Sequence, residues 1–135
     1  MIIKKCYPVF IITIIVLMNC TWKAKVKDLI GIWKGNFYGT EFTLEFREGN
    51  QIIMAAQRTS VPGTYKINFS MKPIQIDITN QHKVNEKGIL EFIDRDHIRF
   101  ESGGPDKPYP SSFSEDKSFI LRRIEKSDFP VDSLR

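Results

Sequence analysis

From Ile32 onward, apolar and polar residues alternate with a period of two. Phe42, Leu44 and Phe46 are separated by Thr43 and Glu45 and bounded by Glu41 and Arg47. Tyr65, Ile67 and Phe69 alternate with Lys66 and Asn68, and Ile74, Ile76 and Ile78 with Gln75 and Asp77. Leu90 and Phe92 flank Glu91, Ile98 and Phe100 flank Arg99, and Phe119 and Leu121 share a face. Successive side chains of a β-strand point to opposite sides, so this pattern predicts strands with one buried face. The breaks fall at Glu48-Gly49-Asn50, Val61-Pro62-Gly63, Asn85 to Gly88 and Asp94-Arg95-Asp96, all rich in turn-forming residues. No window of helical length carries a 3.6-residue period.

The predicted strands are 31–38, 41–47, 51–58, 63–70, 73–79, 88–94, 97–102 and 117–124. They predict an all-β fold. Eight strands joined mainly by tight turns suit an eight-stranded antiparallel up-and-down barrel, whose closure removes exposed edges. A two-sheet β-sandwich is the alternative. Ile53-Met54 followed by Ala55-Ala56 breaks the alternation and predicts a bulge or a doubly buried stretch. The longest connection, 102–117, contains Gly103-Gly104-Pro105, Pro108 and Pro110. Three prolines lower the entropy cost of ordering it, so it is expected to lie fixed on the barrel.

The N-terminus follows a different pattern. Lys4 and Lys5 precede an apolar run from Val9 to Met18 that only Thr13 interrupts. A membrane-spanning helix needs about 20 apolar residues, whereas the core of an export signal needs roughly 7–15. The run therefore reads as an export signal. It ends in Leu17-Met18-Asn19-Cys20. This tetrapeptide resembles the bacterial lipobox at Leu17 and Cys20, with Asn19 where Gly or Ala is usual. The resemblance implies lipidation of the Cys20 thiol and cleavage just before it. It also implies that Thr21, rather than Asp, directs the product to the outer membrane. Residues 1–19 would then be the signal peptide, 20–28 a lipidated tether, 29–126 the barrel and 127–135 a C-terminal tail. Val26–Ile30 is expected to form a helical turn.

Charge takes its meaning from this division. The chain of 135 residues has 20 Lys+Arg against 16 Asp+Glu, a net +4. Two of the lysines belong to the signal, so the surplus halves on cleavage. No basic stripe remains to suggest a nucleic-acid partner. Cys6 would be discarded with the signal and Cys20 lipidated, which leaves no disulfide.

Leu29-Ile30-Gly31-Ile32-Trp33 resembles the Gly-x-Trp opening of lipocalins and related barrels. In that family the Trp closes one end beneath a basic residue of the last strand, a role that Arg122 or Arg123 would take here. The chain also resembles a small lipocalin-like domain abundant in planctomycetes. The resemblance covers L-x-G-x-W, the P-x-x-I-D element at Pro73 to Asp77, Gly103-Gly104, Pro110-Ser111-Ser112-Phe113 and the closing Ile120-Leu121-Arg122-Arg123. Tyr109 stands where that domain usually has Arg. The resemblance spans residues 29 to 124 and implies the barrel fold without an established activity.

Catalytic candidates are few. His82 lies in a polar loop. His97 follows Asp94 and Asp96 but has no nearby nucleophile in the sequence. Glu41, Glu45, Asp77 and Glu91 fall on polar strand faces, with Asp77 singled out by the P-x-x-I-D element. No P-loop, GxSxG or HExxH occurs, and two histidines and two cysteines give little material for a metal centre. No enzyme activity, metal or cofactor is expected. The inward positions Phe42, Phe69, Phe92 and Phe100 are candidate pocket-lining residues. Two functions fit: a lipid-anchored envelope barrel holding a small apolar ligand, or a filled barrel that serves as a structural or protein-interaction module of the envelope.

Overall fold

The computed structural model describes residues 23–125. A single-turn helix, α1 (Val26–Leu29), leads into eight strands. These are β1 (Gly31–Phe37), β2 (Thr40–Arg47), β3 (Gln51–Ala56), β4 (Thr59–Asn68), β5 (Ile74–Asn80), β6 (Asn85–Asp94), β7 (His97–Pro105) and β8 (Phe119–Ile124). Each strand pairs antiparallel with its sequence neighbour, and β8 pairs with β1, closing an up-and-down barrel. Closure runs through Ile32↔Ile124, Trp33↔Arg123 and Lys34↔Arg122. The barrel, not the sandwich, is the fold. The helical turn expected at Val26–Ile30 is present as α1, over the end of the 20–28 segment.

Every strand shifts by at least one residue at one or both ends from the sequence expectation, and a few departures are large. Val61-Pro62-Gly63, expected as a turn, lies inside β4, and the chain reverses earlier at Gln57, which takes φ 54°. β3 pairs without interruption with both neighbours, so no bulge lies at Ile53 to Ala56. The register shifts fall instead between β6 and β7, at Glu86/Gly88 and Phe92/Asp94. Asn85 to Gly88, also expected as a turn, opens β6, and β7 runs on to Pro105. The long connection is therefore shorter, from Asp106 to Ser118.

That segment is a strap on the outer wall. Tyr109 Oη donates to Asp77 Oδ2 at 2.7 Å, and Lys87 Nζ sits 3.0 Å from the other Asp77 oxygen and over the Tyr109 ring. Further along, the backbone N–H and hydroxyl of Ser114 both donate to Glu101 Oε1, at 2.8 and 2.9 Å. Arg99 stacks over Phe113. Glu101 is thus buried with one carboxylate oxygen accepting two hydrogen bonds, which offsets the cost of its burial. At Gly103 an added Cβ would come within 2.3 Å of the Pro108 carbonyl oxygen, so only glycine lets the strap approach this closely.

The interior has two levels. Leu29, Trp33, Phe46, Ile52, Tyr65, Leu90, Ile98 and Leu121 fill the end where β1 begins, each at 1% exposure or less. The opposite end is open.

Candidate functional site

The closed end is built around Trp33. Its Nε1–H donates to the Leu29 carbonyl at 2.8 Å, which turns α1 over the barrel bottom. Phe92 meets the indole edge-on at 6.3 Å. The Arg123 guanidinium lies 4.3 Å from the indole ring, a cation–π stack. Its nitrogens also donate to the carbonyls of Asp28, Ile30 and Arg95, and Nε lies 3.3 Å from an Asp96 carboxylate oxygen. Arg123 therefore ties α1, β8 and the β6–β7 turn together. Arg122, the other candidate for this partnership, points outward and is exposed. Gly31 takes φ +137°, and a Cβ there would stand 2.8 Å from Arg123 Nη1. Both the backbone conformation and the approaching guanidinium demand glycine.

The mouth lies where the β1–β2, β3–β4 and β5–β6 turns and the strap emerge. Inward residues of β1 alternate in size: Gly31, Trp33, Gly35, Phe37. An added Cβ at Gly35 would meet Leu121 at 2.5 Å and Phe42 at 2.9 Å, so this glycine makes room for both. Above it the packing loosens. A cavity of about 320 Å³ opens between Leu44, Met54, Ile78 and Phe100 below and Phe37, Phe42 and Phe119 at the rim. Phe119 is the hub of the rim, with ring centroids 5.4, 5.2 and 5.4 Å from Phe37, Phe42 and Phe100. The contacts to Phe37 and Phe42 are edge-to-face, a geometry that stabilises aromatic clusters beyond their buried area.

Three polar side chains face the cavity: Asn80, Glu86 and Ser102. Ser102 Oγ donates to Glu86 Oε2 at 3.0 Å and accepts from the Gly104 N–H at 3.0 Å. Asn80 Oδ1 accepts from the N–H groups of His82 and Val84, at 2.8 and 3.1 Å, and so shapes the β5–β6 turn.

The four candidate phenylalanines divide between the ends. Phe42 and Phe100 line the mouth cavity. Phe69 and Phe92 instead border a cleft of about 720 Å³ at the closed end, between the β4–β5 turn and Lys23 and Ala24. Alternation finds the inward face but not the height along the barrel. Glu86 was hidden in an expected turn, although the inward series Phe92, Leu90, Gly88 extends back to it. Cys20 and the segments 1–19 and 127–135 lie outside the described residues.

The remaining polar candidates are on the outer wall. Asp77 holds the strap. Next to it, the Tyr109 hydroxyl is pushed up to about 12, by loss of solvent and by the Asp77 carboxylate. Glu45 pairs with Arg47, Glu91 with Arg99 and Glu41 with Lys34. His97 Nδ1 lies 2.9 Å from Asp94 Oδ1. This hydrogen bond, helped by one from the Asp96 N–H, lowers the Asp94 carboxyl below its ordinary range. The pair is exposed, and His82 is exposed in its turn. Among the described residues no group of three His, Cys, Asp or Glu is placed to hold a metal ion.

No family model matches the chain, and no curated protein matches it in sequence. Among solved structures, the barrel superposes on the crystal structure of Treponema pallidum Tp0751 (pallilysin) with a TM-score of 0.58. The identity is 17%, over 82% of this chain and 94% of that one. This likeness shows the fold.

Proposed function

We propose that the chain is a lipoprotein of the bacterial cell envelope, anchored in the outer membrane by a lipidated Cys20, whose barrel holds a small apolar ligand in its mouth. The mouth cavity of about 320 Å³ carries this reading. It falls within the roughly 300–1,000 Å³ of ligand sites, and its walls are mainly apolar with a few convergent polar groups. The Leu17 to Cys20 motif supports the anchor. The packed lower half favours a second reading, a structural or protein-interaction module of the envelope.

Native mass spectrometry of protein purified from its source separates the two readings. An adduct released on denaturation is expected, whereas consistently bare protein would leave the interaction module standing. For the anchor, Cys20→Ala should abolish membrane retention or leave the precursor uncleaved. Normal processing with unchanged retention would overturn it.

A further inference from the structure

The mouth cavity carries a single charge. Glu86 is the one ionisable side chain among its described lining residues. Among the described residues no lysine, arginine or histidine lies within ion-pair distance of it. Its Oε2 accepts from Ser102, while its Oε1 has no donor among the described residues.

The hydrogen-bond directions limit what a guest can offer. A serine hydroxyl has one proton. That proton is committed to Glu86, and a lone pair of the same oxygen is taken by the Gly104 N–H. Ser102 therefore has no proton for a guest. Asn80 spends its side-chain oxygen on the turn and retains a neutral NH₂. What the cavity lacks is a cationic donor against Glu86. An anionic head there would face an uncompensated carboxylate in apolar surroundings, where like charges repel more strongly than in water.

We propose that the mouth selects amphiphilic amines: a short apolar body packed among Met54, Phe100 and Phe119, and a protonated amine seated on Glu86. This rests on the ligand-binding reading above and names its substrate class. The cavity volume suits a small molecule rather than a whole phospholipid.

Three probes with one chain and different heads test it: octylamine, octanol and octanoate. They are titrated calorimetrically against the full chain in a fluorinated surfactant, with the Met54 methyl resonance reporting occupancy of the cavity. Octylamine is expected to bind at least tenfold more tightly than octanoate, about 1.4 kcal/mol, with octanol between them. In Glu86→Gln that preference should collapse while the Met54 shift persists. Octanoate binding as tightly as octylamine, or an amine preference that survives in Glu86→Gln, would overturn the amine assignment and leave ligand binding intact. If none of the three moves the Met54 resonance, the ligand-binding reading falls, and the amine assignment with it.

Discussion

At the closed end of the barrel, one tryptophan is held by a backbone carbonyl at its edge and a guanidinium on its face, with no measurable exposure. At the mouth, Phe119 touches three other phenylalanines yet stands beside a void of about 320 Å³. Both regions are aromatic. They differ in whether polar groups lock the rings in place. Trp33 is held by a hydrogen bond at its edge and a guanidinium on its face, whereas the rim phenylalanines meet one another through ring contacts. The barrel thus separates stability from receptivity: the sealed half supplies the cohesive energy, and the other half is left unfilled.

The sharpest way to break this comparison is truncation at each end. Trp33→Ala should cost about 4 kcal/mol in chemical denaturation, through lost burial and the cavity left behind. Phe119→Ala should cost only about 1 kcal/mol, because the ring is partly exposed and the adjoining space is already empty. Equal losses would mean that the mouth is as structural as the base. Gly31→Ala comes next, at about 2 kcal/mol, since alanine must adopt φ +137° and displace Arg123. Its near-UV dichroism should show a disturbed Trp33 environment. No destabilisation would mean that the guanidinium is not fixed there.

The smallest effect concerns the strap. The Tyr109 hydroxyl has its folded pKa raised above the unfolded value. Its contribution is therefore fully present below about pH 10 and is lost as pH rises towards about 12. The strap should loosen in that window while the Trp33 signal holds, as followed by tyrosinate absorbance alongside tryptophan fluorescence. Tyr109→Phe, which removes the bond to Asp77, should cost about 1 kcal/mol and abolish the pH effect. Loosening of both regions together would show that strap and base are coupled.

Much of this architecture is legible in the chain. Phe42-Leu44-Phe46 and Ile74-Ile76-Ile78 mark their buried faces by alternation alone. Gly31-Ile32-Trp33 carries the bottom, because only glycine fits beneath Arg123. What escaped depends on register. Pro62-Gly63 has turn composition but lies in β4, since eight-strand closure extends that strand back to Thr59. Phe69 and Phe92 share an inward pattern with Phe42 and Phe100. Alternation gives the face but not the end: Phe42 lies near the start of β2 at the mouth, whereas Phe92 lies near the end of β6 and Phe69 just past the end of β4, at the base. Glu86 escapes for a different reason: β6 begins at Asn85, earlier than the turn-like composition of Asn85 to Gly88 suggests.

An even number of strands returns the chain to the end from which it set out. Lys23 borders the cleft at the sealed base, and Ile124 pairs with Ile32 there, so the described chain both enters and leaves at that end. Under the anchoring proposed above, the lipid would attach at the sealed end, opposite the mouth. The path into the cavity and the path to the attachment point would then lie at opposite poles of the barrel.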